Sequence, residues 1–240
     1  MRFRLFGAAA VGGVAAMLCV SPILADERIG SWLIVDNVPD AIYLVDEIDF
    51  HTPLDFHRAM EERPNARTII LNSPGGSVSD GLLVAEDVHE RGFNTYIPQG
   101  QGCYSACSYI FLAGISRRAD GELGVHQISS DVQSNANMQF TVSDVLHVLE
   151  QFNTPPELID RMFRTPSESI YVFTAAELVS LGINRDGAQT GGATTASSAP
   201  LQQSGKWIAL YAGIDFYGDD ISGDARNAAA FRASPEISSP

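Results

Sequence analysis

The chain has 240 residues, of which 45% are hydrophobic and 18% are charged, a balance typical of a globular domain and not of a disordered or membrane-filling chain. Fifteen basic residues stand against twenty-nine acidic ones, so the formal net charge is -14. An acidic surface of this kind repels phosphates, so we expect no nucleic-acid partner. Only one of the basic residues, Lys206, is a lysine.

The N-terminal segment 1–25 is typical of a secretory signal peptide. Two arginines near the start are followed by small and apolar residues over 5–23, and the first acidic residue is Asp26. We expect cleavage after Ala25 and a periplasmic or secreted mature protein. The alternative is an uncleaved N-terminal anchor, because the apolar run is close to the shortest length that spans a bilayer.

The segment 26–185 alternates short apolar runs with amphipathic stretches, which indicates a single α/β domain. In chain order the pattern predicts strand 32–35, strand 42–48, helix 54–62, strand 68–71, helix 78–91, strand 95–97, helix 106–112, strand 123–125, helix 142–152, helix 156–163 and helix 175–181.

The C-terminal part of the chain has a different composition. Gly, Ala, Thr, Ser and Gln dominate 186–206, where almost nothing is apolar enough to bury, so this segment is predicted to be a flexible linker. The tail 207–240 is too short to form a stable core of its own, and we assign it no role.

A glycine-rich turn lies between a predicted strand and a predicted helix. It reads Leu-Asn-Ser-Pro-Gly-Gly-Ser-Val over 71–78, and Gly75 and Gly76 leave free N–H groups at a helix start, where negative charge is stabilised. A phosphate loop of the Walker type requires a Gly-Lys-Ser/Thr ending, which this segment lacks. Two interpretations stay open: a structural tight turn and an oxyanion-binding turn.

A candidate nucleophile follows in the segment 100–108, Gly-Gln-Gly-Cys-Tyr-Ser-Ala-Cys-Ser. Ser105 lies where a strand ends and an apolar helix begins, a position that exposes a serine hydroxyl and the N–H of the next residue. The structural alternative is a helix N-cap. Ser108, one turn later, is the second candidate nucleophile.

A catalytic serine requires a base, which is ordinarily a histidine or a desolvated lysine. The single lysine, Lys206, lies beyond the predicted linker, which argues against a Ser–Lys dyad. Among the histidines, His126 ends a predicted strand, where active sites of α/β proteins collect, and it is the preferred base. His51 and His147 are weaker candidates, and a packed core histidine is the structural alternative for each.

Two cysteines, Cys103 and Cys107, lie on either side of Ser105 in the sequence. In an oxidising compartment they are candidates for a disulfide that would make the segment around Ser105 rigid. The alternative is a pair of buried free thiols, because an offset of four residues does not by itself guarantee the required Cβ geometry.

Four segments together resemble the proteolytic subunit of the Clp protease and its relatives: 72–78, 100–105, 110–114 and 125–127. The resemblance covers about 40–185. It implies a single-domain ClpP/crotonase-like ββα superhelix with a flexible C-terminal tail. Because the interval from Gly76 to Ser105 agrees with that family's interval between oxyanion glycine and serine, the resemblance also implies an oxyanion hole formed by the N–H groups of Gly76 and Ala106.

The family's third triad residue, an aspartate, falls at Ile170 in this chain. Glu168 is the predicted replacement, and Ser167 and Ser169 are alternatives. A Ser–His pair without a third side chain, or a loss of activity, also stays open.

The leading hypothesis is a periplasmic serine endopeptidase of the Clp type that hydrolyses peptide bonds through an acyl-enzyme on Ser105, with His126 as base. Its expected substrate is a peptide or an unfolded protein, with no metal and no cofactor. A periplasm contains no ATP, so no ATPase partner is implied, and a homo-oligomer is expected by analogy alone. The alternatives are a non-catalytic binding or assembly protein on the same fold and a crotonase-like acyl-CoA enzyme.

Overall fold

The computed structural model describes residues 26–128 and 135–186. The predicted signal peptide, the tail 207–240 and, beyond Asp186, the predicted linker lie outside the described residues. None of the helices within the described ranges combines the length and apolar character needed to cross a bilayer.

The domain contains alternating strands and helices, as the sequence pattern predicts. The described helices are α1 (Thr52–Glu62), α2 (Val78–Glu90), α3 (Cys107–Ala113), α4 (Asn135–Gln151), α5 (Pro156–Arg164) and α6 (Ala175–Ser180). The strands are β1 (Glu27–Ile29), β2 (Trp32–Ile34), β3 (Ala41–Leu44), β4 (Thr68–Leu71), β5 (Asn94–Ile97), β6 (Gly102–Tyr104), β7 (Arg117–Ala119), β8 (Glu122–Val125) and β9 (Tyr171–Val172).

Most predicted boundaries lie within two residues of the observed ones, and two differ by more. The strand predicted over 42–48 ends at Leu44, and beyond it Ile48 forms only an isolated bridge with Gly76. The helix predicted over 142–152 begins earlier, at Asn135.

The strands form two sheets. The larger has the order β1-β2-β3-β4-β5-β7, with antiparallel pairing of β1, β2 and β3 and parallel pairing from β3 through β7. The smaller has the order β6-β8-β9, with β6 and β8 parallel and β9 antiparallel to β8.

The connections follow a ββα repeat that alternates between the sheets. From β5 in the larger sheet the chain enters β6 in the smaller one and then forms α3; it continues through β7 in the larger sheet and β8 in the smaller. An isolated parallel bridge between Ser73 and Cys103 adds the chain beyond β4 to the edge of the smaller sheet. The repeat therefore brings the end of β4, the end of β6 and the end of β8 side by side.

The core lies between the larger sheet and the helices. Ile42, Leu44, Ile69 and Leu71 point into it, while Tyr43 and Ile70 belong to a smaller cluster on the opposite face of the sheet. Both faces are covered, which is the usual situation for parallel strands and explains their continuous apolar runs. Helix α2, next to the glycine turn, begins where the Ser77 side chain accepts from the Asp80 N–H.

A buried arginine joins the end of α3 to the segments that follow α4 and α6. The guanidinium of Arg117, 1% exposed, donates to the carbonyls of Leu112 in α3, Phe152 after α4 and Ile183 after α6. Burial and the neighbouring positive charge of Arg185 lower the pKa of Arg117 to about 9. The carbonyls at a helix C-terminus carry partial negative charge, so they stabilise this cation without a carboxylate.

Candidate active site

The glycine turn is held against the loop that follows β3. The N–H of Ile48 donates to the Gly75 carbonyl at 2.7 Å, and the N–H of Ser77 donates to the Ile48 carbonyl at 2.8 Å. Gly75 and Gly76 have φ angles of 96° and 138°, a region that disfavours any residue with a Cβ. This conformation accounts for the glycine pair in the sequence.

Ser105 lies at the junction between β6 and α3 and has a φ angle of 53°. A serine in the left-handed region costs free energy that the surrounding structure must offset, and such residues cluster at functional sites. The N–H of Ser105 donates to the Gly124 carbonyl at 3.1 Å, and its own carbonyl accepts from the N–H of Ser108 at 2.9 Å. Both main-chain polar groups of Ser105 are thus held by hydrogen bonds.

The glycine turn and Ser105 are in direct contact. A Cβ on Gly75 would lie 2.5 Å from the Tyr104 carbonyl oxygen, 2.7 Å from the Ser105 Cβ and 2.9 Å from the Ala106 nitrogen. Only a glycine permits this approach. The glycine pair was the signal in the sequence, but the resemblance gives a site role to Gly76 alone, and no local pattern indicated that Gly75 contacts Ser105.

The two N–H groups predicted to bind an oxyanion point to no acceptor within 26–128 and 135–186. Neither the N–H of Gly76 nor that of Ala106 makes a hydrogen bond there, although the N–H groups of Gly75 and Ser77 on either side of Gly76 are both bonded. Gly76 is exposed, and Ala106 is buried directly beside the Gly75 turn. Free N–H groups flanking a serine are what an oxyanion hole requires.

His126 follows the last residue of β8. Since Tyr104 pairs with Gly124 in the parallel register of β6 and β8, Ser105 and His126 leave neighbouring strands at the same edge of the smaller sheet. The Nδ1 atom of His126 lies 2.8 Å from the Gln127 carbonyl oxygen. A carbonyl can only accept, so Nδ1 carries the proton and Nε2 has the free lone pair that a general base needs.

Glu168, the predicted third member, is exposed, and its carboxylate accepts from the Ser167 hydroxyl at 3.3 Å. Among the described residues no carboxylate bonds to His126, whose Nδ1 atom is bonded to the Gln127 carbonyl instead. The catalytic role of Glu168 stays a prediction. Continuing the antiparallel register of β8 and β9 by one residue puts Ile170 opposite His126.

The other serine and histidine candidates lie outside this arrangement. Ser108 is fully buried, and its hydroxyl donates to the Ser105 carbonyl at 2.6 Å, a contact that supports the turn and was not foreseen. His51 is exposed and packs on Phe50 with ring centroids 3.8 Å apart. His147 bonds to Gln151 on the surface of α4.

A disulfide joins Cys103 and Cys107, the pair put forward from the sequence, with Cα atoms 5.3 Å apart. Both residues are fully buried. Within the part of the chain that the structure describes, no group of three or more His, Cys, Asp or Glu side chains is arranged to hold a metal ion.

No family model matches the chain, and no curated protein matches it. Several solved structures match the chain. ClpP1 from Listeria monocytogenes aligns with a TM-score of 0.50 and 17% identity over 62% of this chain and 90% of that one. The ClpP protease catalytic domain from Plasmodium falciparum aligns with a TM-score of 0.48 and 24% identity, over 60% of this chain and 82% of that one.

Proposed function

We propose that this chain, which has a ClpP-like α/β fold, is a serine peptidase of the Clp type with Ser105 as nucleophile. The single observation that carries the proposal is the conformation of Ser105. Ser105 has a left-handed φ and contacts Gly75, and it directly follows β6, the strand that pairs with β8, which His126 follows.

In this mechanism the Ser105 hydroxyl attacks the peptide carbonyl carbon while the Nε2 atom of His126 takes its proton. The tetrahedral oxyanion accepts from the N–H groups of Gly76 and Ala106. His126 then returns the proton to the leaving amine, which leaves an acyl-enzyme on Ser105. Water, activated by the same imidazole, hydrolyses that ester.

The Gln127 carbonyl takes part of the role that a carboxylate has in a full triad. It holds the Nδ1–H and so fixes the tautomer. A neutral carbonyl stabilises the imidazolium less than a carboxylate does, and we therefore expect a slower enzyme than one with a complete triad.

The test is labelling of the purified chain with a fluorophosphonate probe, followed by mapping of the modified peptide. We expect Ser105 to be labelled and Ser105→Ala to abolish labelling, with Ser79→Ala, which removes an exposed serine hydroxyl in α2, as the matched control. His126→Ala should be nearly as severe, while His147→Ala should react as wild type does.

A wild-type chain that is folded and unlabelled would refute the peptidase and favour the non-catalytic binding protein. Labelling of a residue other than Ser105 would refute the assignment of the nucleophile.

We also propose that the protein is exported, with cleavage after Ala25. The Cys103–Cys107 disulfide supports this proposal, because structural disulfides persist in oxidising compartments. Sequencing the mature N-terminus should find Asp26 first. Intact residues 1–25 on a membrane-bound form would contradict cleavage.

A further inference from the structure

The disulfide encloses the candidate nucleophile in the chain. Cys103 is the middle residue of β6, Cys107 is the first residue of α3, and Ser105 lies midway between them. A ring this short removes little conformational entropy from the unfolded chain, since the entropic benefit of a disulfide grows with the length of the loop it closes. Its main effect must therefore be local, on the turn that carries Ser105.

The two ends of this turn belong to different parts of the fold. On one side, Cys103 pairs with Leu123 in β8 and forms a bridge with Ser73 beyond β4. On the other side, Cys107 begins α3, which packs against α2: a Cβ on Gly81 in α2 would lie 3.2 Å from the Ala106 Cβ. The disulfide adds a second covalent connection, besides the main chain, between β6 and the start of α3.

Ser105 needs this connection because its conformation is unfavourable. A left-handed φ at a serine relaxes to a right-handed or extended one wherever the flanking chain can move. Hydrogen bonds join the Ser105 N–H to β8 and the Ser105 carbonyl to Ser108 in α3. These bonds hold the turn only while the distance between β8 and α3 stays the same.

We propose that Cys103 and Cys107 are positioning residues of the nucleophile, and that the chain without their disulfide is folded but reacts slowly at Ser105. This inference rests on the proposed peptidase function. It implies that full activity appears only after the chain has been oxidised.

The first experiment compares the second-order rate of fluorophosphonate labelling in wild type and in Cys103→Ala/Cys107→Ala at a temperature where both are folded. A displacement of about 1 Å at a reacting group costs on the order of 10²-fold. We therefore expect the labelling rate of the double variant to be lower than that of wild type by about tenfold or more. Ile34→Ala, which removes a buried side chain from β2, is the control for a general loss of stability and should keep the wild-type rate.

The second experiment reduces the wild-type bond with a trialkylphosphine. The phosphine takes an oxygen atom from water and becomes the phosphine oxide, the S–S bond breaks, and the two sulfurs take up two protons to give thiols. Mass spectrometry follows the gain of two hydrogen atoms per chain. Labelling should fall on reduction and recover on reoxidation, whereas the phosphine should leave the rate of the double variant unchanged.

Amide hydrogen exchange gives a readout that is independent of activity. Exchange over 103–108 should become faster in the double variant and in reduced wild type, with no change in α1. A double variant that labels at the wild-type rate, or unchanged exchange over 103–108, would overturn the positioning role and leave the peptidase intact. Failure of oxidised wild type to label would instead refute the proposed function, while the exchange result would still decide whether the disulfide fixes the turn.

Discussion

Replacing Gly75 with alanine tests the contact on which the candidate site depends. The new Cβ would lie 2.5 Å from the Tyr104 carbonyl oxygen and 2.7 Å from the Ser105 Cβ. Carbon atoms in favourable contact are about 3.5 to 4.0 Å apart, so the two segments must separate by roughly 1 Å. Neither the Tyr104 carbonyl oxygen nor the Ser105 Cβ is the flexible end of a side chain, and the separation therefore moves Ser105 itself.

The expected loss in the free energy of unfolding has two sources, backbone strain and overpacking. Alanine at a left-handed φ costs about 1 to 2 kcal/mol, and overpacking a filled site costs about 1 to 3 kcal/mol more. Gly182→Ala is the matched control, because Gly182 has a φ of 65° and a Cβ there would meet nothing within 4 Å. The difference between the two variants in the free energy of unfolding therefore contains the contact with Ser105 and the additional strain of a Cβ at a φ of 96°.

Activity should separate the variants more clearly than stability does. A shift of about 1 Å at the nucleophile costs on the order of 10²-fold in kcat/KM, which is roughly 2.7 kcal/mol of transition-state stabilisation. Urea unfolding would measure the loss of stability. Fluorophosphonate labelling, at urea concentrations below the unfolding transition, would measure the loss of reactivity at Ser105. A folded Gly75→Ala that reacts as fast as Gly182→Ala would refute the view that Gly75 sets the position of Ser105.

Three further variants test other parts of the site and the fold. Ser108→Ala removes the hydroxyl that supports the Ser105 carbonyl, so labelling should slow by about one order of magnitude, for a loss of about 1 kcal/mol, without vanishing; complete loss would point to Ser108 as nucleophile. Ile170→Asp puts a carboxylate opposite His126 and should raise the labelling rate about tenfold over Ile170→Asn, which has the same shape without the charge; equal rates would contradict the inferred register. Arg117→Met leaves buried helix-end carbonyls without a donor and should lower the free energy of unfolding by about 2 kcal/mol in urea titration; a gain in stability would mean that the cost of the buried charge dominates.

The sequence predicts the helices and the longer strands because their apolar periodicity extends over enough residues. Strand 68–71 is found at the predicted bounds, and the predicted helix 78–91 ends at Glu90. Strands β1, β6, β7 and β9 were not predicted, since each has two or three residues, and β7 begins with two arginines. Such strands form because their neighbours offer partners, which is information that no local pattern contains.

The candidate site likewise contains some features that the sequence predicts and others that it does not. Ser105 and Gly76 could be proposed from the sequence because the interval between them agrees with that of the family it resembles, and their roles stay predictions. The bond from His126 to the Gln127 carbonyl was not, because a main-chain acceptor leaves no mark on residue type. The approach of Gly75 to Ser105 likewise depends on how the end of β4 meets the end of β6, a tertiary contact between distant segments.

The Arg117 connection has a consequence for biosynthesis. Arg117 is synthesised long before Ile183, whose carbonyl it needs, and its backbone also exchanges hydrogen bonds with Arg185 at the end of the described domain. Until the ribosome has released that segment, β7 would have to bury a guanidinium that lacks part of its acceptor set. We expect the nascent chain to complete its fold only when the last part of the domain has emerged from the ribosome, so that the helices and sheets of this domain close together in a late step of synthesis.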